Sequence, residues 1–529
     1  MRKVSLSVYC LRIILAFILA LNVLVNWYIS GNLFDADTSS NLVLAQHLSK
    51  QGGILSRDWI YPTELGVIGT QLVNSILFRL ISSYRIVRFV GSIIHECILL
   101  LSFFFLCSSA HIKERSMLKG AIILMLPVSV AWGRIVLYHN YYVPHITVEF
   151  LIVGLFLRTM EKEKGNKRTF VILILLSIIA GLSGIRQLMI TFIPVFFCYL
   201  SYILIKDSKQ DEPTLVTDKG ILGGYFIALG MCLLGIICNY ELTRLFTFNS
   251  YLGAGLRIQS STSWPSVIYA VFHLFGYRTE VSLISLAGIL SVLGIGCGIY
   301  FIIDSVYYLI HMNFETGWML RLLFLFSFLT LTFILIFAYD TYYFLLYYIF
   351  PYSFIPVLIA EKSEYEPVTL PFLHTRVLVP FIVFLSLVGN GVFNTAWFAD
   401  LPVQDQTYDG LNYYNRRIVS ELSGAVSFLE ERQYKWGCSP YWSSNIVTEM
   451  TNGAICVTPL EPWSSSKPHY YPWLTFLSYQ DIEASPAFLL LSNEKSSMEL
   501  FSGEIVYSDD YYTIVEYGTS KELWNLIQQ

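Results

Sequence analysis

The run VYCLRIILAFILALNVLVNWYISGNLFDADTSSNLVLAQHL, residues 8–48, decides the fold class. Its first part, Val8 to Ile29, is an apolar stretch long enough for a bilayer, which takes about 20 residues. It is too long for the apolar core of a signal peptide and ends without a small-x-small site. It therefore reads as an uncleaved first helix behind Arg2 and Lys3. Asp35 and Asp37 follow at once, where acidic side chains add little to packing. Thr38 to Leu48 then reads as a short helix with Leu42, Ala45 and Leu48 on one face. Asp37 or Thr38 is placed to cap that helix.

Outward from this stretch the same apolar pattern recurs. The 529 residues are 55% hydrophobic and 14% charged, against roughly 25% charged in soluble domains, with a mean hydropathy of +0.57. The pattern predicts about eleven crossings, at 8–29, 86–108, 118–137, 143–158, 169–186, 188–205, 220–241, 282–310, 320–338, 342–360 and 376–395. Basic loops at 111–119 and 158–168 join Arg2 and Lys3 in placing the N-terminus in the cytoplasm. Eleven crossings then put the tail outside. The expected organisation is a transmembrane domain, 1–396, with a long first outer loop, 30–85, and an extracytoplasmic domain, 397–529. The expected fold is mainly α, a polytopic membrane bundle with a small α/β tail.

From 397 onward there are 17 acidic and 7 basic residues, a net of −10, while the remainder has a net of +6. An acidic tail on a mildly basic membrane body offers no basic patch for nucleic acid. Within the tail, helices are expected near 412–432 and 441–451, and strands at 454–458, 487–492, 504–508 and 511–517. Cys438 and Cys456 are the tail's two cysteines, open to a disulfide or to two free thiols. No zinc-type spacing occurs, and no metal or other cofactor is predicted.

The candidate chemistry lies on the outer side. The Asp-x-Asp triplet at 35–37 would suggest a metal-held nucleotide sugar in a cytoplasmic enzyme. Outside the membrane the donor must be one that has been flipped across, such as a polyprenyl-phosphate sugar. Asp37 and Asp35 are the candidate catalytic carboxylates, since a carboxylate can take the proton of an attacking hydroxyl. The departing lipid phosphate needs nearby cations. Arg186 in GLSGIRQLMITFIP (181–194) is the first candidate, then Arg57 in ILSRDWIYPTEL (54–65) and Arg134. Glu64, Trp59, Tyr61, His139 in LYHNYYVPH (137–145) and Asp340 in FAYDTYY (337–343) are candidates for acceptor or sugar contacts. His139 and His145 are six apart, which does not make a metal site. VIGTQLVNSILFRLIS (67–82) carries an apolar stripe and reads as a helix lying in the interface.

These features resemble the GT-C superfamily of integral membrane glycosyltransferases, which includes protein O-mannosyltransferases and lipid A aminoarabinose transferases. The block DADTSSNLVLAQHLSKQGGILSRDWIYPTEL is also similar to uncharacterised, mostly Gram-positive GT-C-like proteins. The family's frequent motif is Asp-Glu with a small residue eight positions after the Asp. Asp37 and Ala45 match that spacing, whereas Thr38 stands where Glu is usual. The resemblance implies an inverting glycosyltransferase of the cell membrane. It would move a sugar from a polyprenyl-phosphate donor to an extracytoplasmic acceptor, a glycan, lipid or protein, with Asp37 as general base. The rival readings are a transporter or flippase, which expects ionisable residues inside crossings, a surface-polysaccharide polymerase or ligase, and a sensor or adhesion module.

Overall fold

The structure is a computed structural model. It describes residues 6–32, 34–62, 65–159, 167–209, 215–249, 268, 271–278, 281–311, 318–337, 348–364, 378–399, 418–461, 468–493 and 503–528. In chain order the helices are α1 (Leu6–Asn32), α2 (Ala36–Gln51), α3 (Gln71–Phe78), α4 (Tyr84–Ser109), α5 (Glu114–Leu124), α6 (Val143–Thr159), α7 (Lys167–Leu182) and α8 (Ile193–Lys209). They continue as α9 (Leu215–Thr243), α10 (Leu286–Ile310), α11 (Trp318–Phe337), α12 (Ile349–Glu364), α13 (Leu378–Ala399), α14 (Ile418–Glu431), α15 (Tyr441–Met450) and α16 (Ser520–Ile527). The strands are β1 (Ile60–Tyr61), β2 (Thr247–Phe248), β3 (Trp436–Pro440), β4 (Cys456–Leu460), β5 (Ala487–Ser492), β6 (Glu504–Ser508) and β7 (Tyr512–Tyr517).

The chain forms two compact units. One holds 1–25, 94–240 and 254–399, and the other holds 26–93, 241–253 and 400–529.

The first unit is helical, and its apolar helices make the chain a multi-pass membrane protein. Among the described residues, α1, α4, Gly223–Thr243 and α10 are each long and apolar enough to cross a bilayer. The pair Val130–Tyr138 and α6, bent by 85°, has the form of a broken span or a re-entrant loop. The expected crossing at 118–137 is interrupted, for a physical reason. Pro127 cannot continue a helix, so α5 ends at Leu124 and a new start is capped by Ser129, whose Oγ accepts the Trp132 N–H at 3.1 Å. The new segment runs on as a π-helix, Gly133–Tyr138. A second π-helix, Leu188–Phe192, precedes α8. Such segments concentrate at functional sites.

The second unit contains a mixed five-stranded sheet in the order β4-β3-β5-β7-β6. β3 pairs in parallel with β4 and β5, while β7 is antiparallel to β5 and β6. β5 reads AFLLLS and is buried along nearly its whole length, as an apolar run inside a sheet should be. One face packs Leu422 and Leu429 of α14 and Ile446 of α15 against Phe488 and Ile514, with Phe34 joining that core. The other face takes Leu523 and Ile527 of α16 against Trp436 and Leu489.

In the same unit α2 is framed by its own sequence. Asp35 is the N-cap, accepting the N–H groups of Asp37 and Thr38 at 3.1 and 3.3 Å. Gly52 closes the other end with φ of 81°, a conformation that costs glycine least. Leu42, Ala45 and Leu48 are buried, as their spacing predicts. The expected interfacial helix at 67–82 is shorter, covering Gln71–Phe78 only. It is separated from α4 and so does not begin the next crossing.

Candidate functional site

The N-terminal turn of α2 gathers the strongest polar constellation of the second unit. Because Asp35 does the capping, Asp37 is released from that duty. Its carboxylate accepts a hydrogen bond from the Tyr441 hydroxyl at the start of α15. Arg88 of α4 fixes the same turn. Its Nη1 donates to Thr38 Oγ1 at 3.1 Å and its Nη2 to Ser39 Oγ at 3.4 Å. The rest of the guanidinium grips Glu449 of α15, with Nε donating to Oε1 at 2.8 Å and Nη2 to Oε2. Both partners are buried. Asp35 and Asp37 themselves are only partly buried.

The aromatic groups around Tyr441 come from the tail. The Tyr441 ring meets Tyr471 edge-on with centroids 5.7 Å apart, and Tyr471 stacks on Trp473 at 6.0 Å. The next residue, Leu474, has φ of 49°, uncommon for a bulky side chain. Its carbonyl accepts from Asn445 Nδ2 at 3.2 Å.

The sequence candidates in 54–65 fare differently. Trp59 and Tyr61 are core residues, 1% and 2% exposed. Trp59 meets Phe476 at 4.6 Å, and the Tyr61 hydroxyl accepts the Ser56 N–H at 2.9 Å. Burial pushes the Tyr61 phenol up to about 12. Arg57 is exposed, while the neighbouring Asp58 accepts the Ser478 N–H at 2.7 Å. Glu64 and Asp340 lie outside the described residues. Cys438 and Cys456 are free thiols. Cys438 stands opposite Thr458 across the β3–β4 ladder, and Trp436 stands opposite Cys456.

The first unit has its own polar cluster, between the start of α6 and the segment that leads into the π-helix Leu188–Phe192. Arg186 Nη1 lies 2.9 Å from His145 Nε2, and the guanidinium carbon is 5.3 Å from the Tyr142 ring centroid. A guanidinium has no lone pair to offer, so His145 Nε2 is the acceptor and the ring proton sits on Nδ1. Gln187 Nε2 donates to the His145 carbonyl at 3.0 Å, and Thr191 Oγ1 to Gln187 Oε1 at 2.8 Å. Arg134 and His139 meet through the backbone, the His139 N–H donating to the Arg134 carbonyl at 2.8 Å.

Sequence reading missed Tyr441, Arg88, Glu449 and Glu149. Glu149 is fully buried on α6, one turn beyond His145 and on the same helical face. An acidic residue inside an apolar helix was the available signal. No group of three or more metal-ligating side chains occurs among the described residues.

No family model matches the chain, and no curated protein matches it either. Among solved structures it is similar to the crystal structure of ArnT from Cupriavidus metallidurans bound to undecaprenyl phosphate. The two are 9% identical, with a TM-score of 0.54, over 95% of this chain and 97% of that one. The likeness shows an ArnT-like fold. At that identity the likeness is one of fold.

Proposed function

We propose that this protein is a GT-C-type glycosyltransferase that takes a sugar from a polyprenyl-phosphate carrier and passes it to an extracytoplasmic acceptor. The observation that carries the reading is the first turn of α2, where Asp35 fills the cap and leaves the partly exposed Asp37 for chemistry. The fold likeness to ArnT, solved with undecaprenyl phosphate, supports the choice of donor.

In this reading Asp37 accepts the proton of the acceptor hydroxyl. The acceptor oxygen bonds to the anomeric carbon as the bond from that carbon to the phosphate oxygen breaks. The lipid phosphate leaves with the electron pair, and configuration inverts. Arg186, held by His145 and Tyr142, meets the phosphate charge. The N-terminus is cytoplasmic, about eleven crossings follow, and 397–529 is extracytoplasmic.

A transporter would also carry ionisable groups inside its helices. Here Arg321 and Glu361 are paired with each other, as are Lys362 and Asp304, which is what a structural role requires.

The test is turnover of a panel of polyprenyl-phosphate sugars by the purified protein. Asp37→Asn keeps the shape of the side chain and should lower turnover by about 10²–10⁴-fold, the usual reach of a general base. Donor binding should survive. Asp35→Asn should do less, and Arg186→Ala should weaken donor use about tenfold or more. Loss in Asp35→Asn with full activity in Asp37→Asn would move the base to Asp35. Full activity in both would remove the catalytic reading of this loop.

A further inference from the structure

Asp37 is hydrogen-bonded to a tyrosine 404 residues further along the chain. Tyr441 is 4% exposed, begins α15, and is fixed by its ring contact with Tyr471. The same helix is tied to the same turn of α2 eight residues later, where Glu449 holds Arg88 and Arg88 holds Thr38 and Ser39. Two points of attachment fix the rotation and the height of α15 against that turn. The tyrosine hydroxyl is therefore delivered to the carboxylate by a rigid element.

We propose that Tyr441 is the positioning residue of Asp37, so that the C-terminal segment completes the acidic site. This rests on the reading of Asp37 as the base. The hydroxyl has two consequences for the carboxylate. It selects one orientation of the side chain, and it stabilises the ionised form, because a donor bonds more strongly to a carboxylate than to a carboxylic acid. The titratable and charged groups on the segments packed here are Asp35, His47 and Lys50 along its own segment, Tyr84, Arg85 and Arg88 in the first two turns of α4, Glu449 of α15, and Tyr471. The residues of α3 include none. Arg88 and Glu449 neutralise each other.

The decisive experiment needs no substrate. The full-length protein in detergent is treated with a water-soluble carbodiimide over a series of pH values. Labelling of Asp37, which requires the protonated carboxyl, is read by peptide mass spectrometry. In Tyr441→Phe, labelling should persist to a pH about one unit higher, the effect of one charge-assisted hydrogen bond. Labelling of Asp35 should not move. Tyr441→Gln, which keeps a donor, should recover part of the shift. A 3-fluorotyrosine placed at 441 alone preserves the packing and strengthens the donor, so labelling should retreat to lower pH. An unchanged Asp37 profile in the Phe variant, or in the fluorotyrosine protein should the Phe variant not fold, overturns the proposal.

Turnover separates this proposal from the transferase reading. With a polyprenyl-phosphate sugar accepted by the wild type, Tyr441→Phe should lower kcat about tenfold and leave KM nearly unchanged. A wild type that turns over none of the panel overturns the transferase reading, while the labelling result still decides the Tyr441–Asp37 coupling.

Discussion

Two buried arginine–glutamate pairs, one in each unit, do different work. In the helical unit Arg321 of α11 grips Glu361 of α12 through two bonds of 2.9 and 2.8 Å, and its charge lies 4.8 Å from the Tyr308 ring centroid. Beside it Lys362 and Asp304 pair at 2.6 Å. In the other unit Arg88 grips Glu449 just as tightly but also donates to Thr38 and Ser39. The side chains are 4% and 0% exposed in the first pair and 6% and 1% in the second, so burial does not distinguish them. The partners do. One pair neutralises charge among apolar helices, and the other also holds the turn that carries Asp37.

The largest effect should come from breaking the first pair. Glu361→Ala leaves a buried guanidinium without its carboxylate and should cost about 3–5 kcal/mol, read as a lower midpoint of unfolding in detergent. The double variant Arg321→Met, Glu361→Leu should regain most of that loss, since apolar pairs often replace buried ion pairs at no net cost. A double variant as unstable as the single one would mean that this pair does more than neutralise charge.

A smaller effect is expected at the second pair. Glu449→Gln keeps the side-chain shape and one acceptor, and should cost about 1.5–3 kcal/mol. The comparison is sharpened by hydrogen exchange. The amides at the start of α2 should exchange faster in Glu449→Gln and should be unmoved in Glu361→Ala. Equal protection in both variants would remove the special role given to Arg88.

Much of this was legible in the sequence where periodicity and local chemistry agree. The helix at 38–48 announced itself through Leu42, Ala45 and Leu48, and β5, β6 and β7 fall where β-rich runs predict. β3 was not legible, since WGCSP has neither alternation nor branched side chains. Its place in the sheet depends on Gly437, where an added Cβ would lie 2.4 Å from the Phe488 carbonyl oxygen. Trp59 and Tyr61 have the composition of an interfacial or sugar-binding pair, and only the packing of Phe476 on Trp59 reveals the core position. Tyr441 and Glu449 gave no signal at all. They reach the α2 turn and its Arg88 across 404 and 361 residues of chain, and no local rule spans that distance.

The smallest effect concerns the far end of α2. The His47 ring packs tilted against Phe476 with centroids 4.5 Å apart and lies 3.1 Å from Ser56 Oγ through Nε2. Burial holds its proton affinity below the ordinary value of 6.5, against an opposing pull from Asp58 and with a smaller push from Lys50. The sign follows from which state takes up the proton. Below pH 6.5 the unfolded chain protonates this ring and the native ring resists, so stability is lost as pH falls through that value and is fully present above it. The loss should be small, because the ring is only partly buried and solvent still screens the charge. Thermal midpoints taken between about pH 7 and pH 5 should therefore fall less steeply in His47→Gln than in the wild type. The same pH series on Glu449→Gln should keep the wild-type slope, since that change leaves the imidazole untouched. A wild-type slope in His47→Gln would assign the pH dependence to other groups. It would also separate the packing at this end of α2 from the polar network at its start.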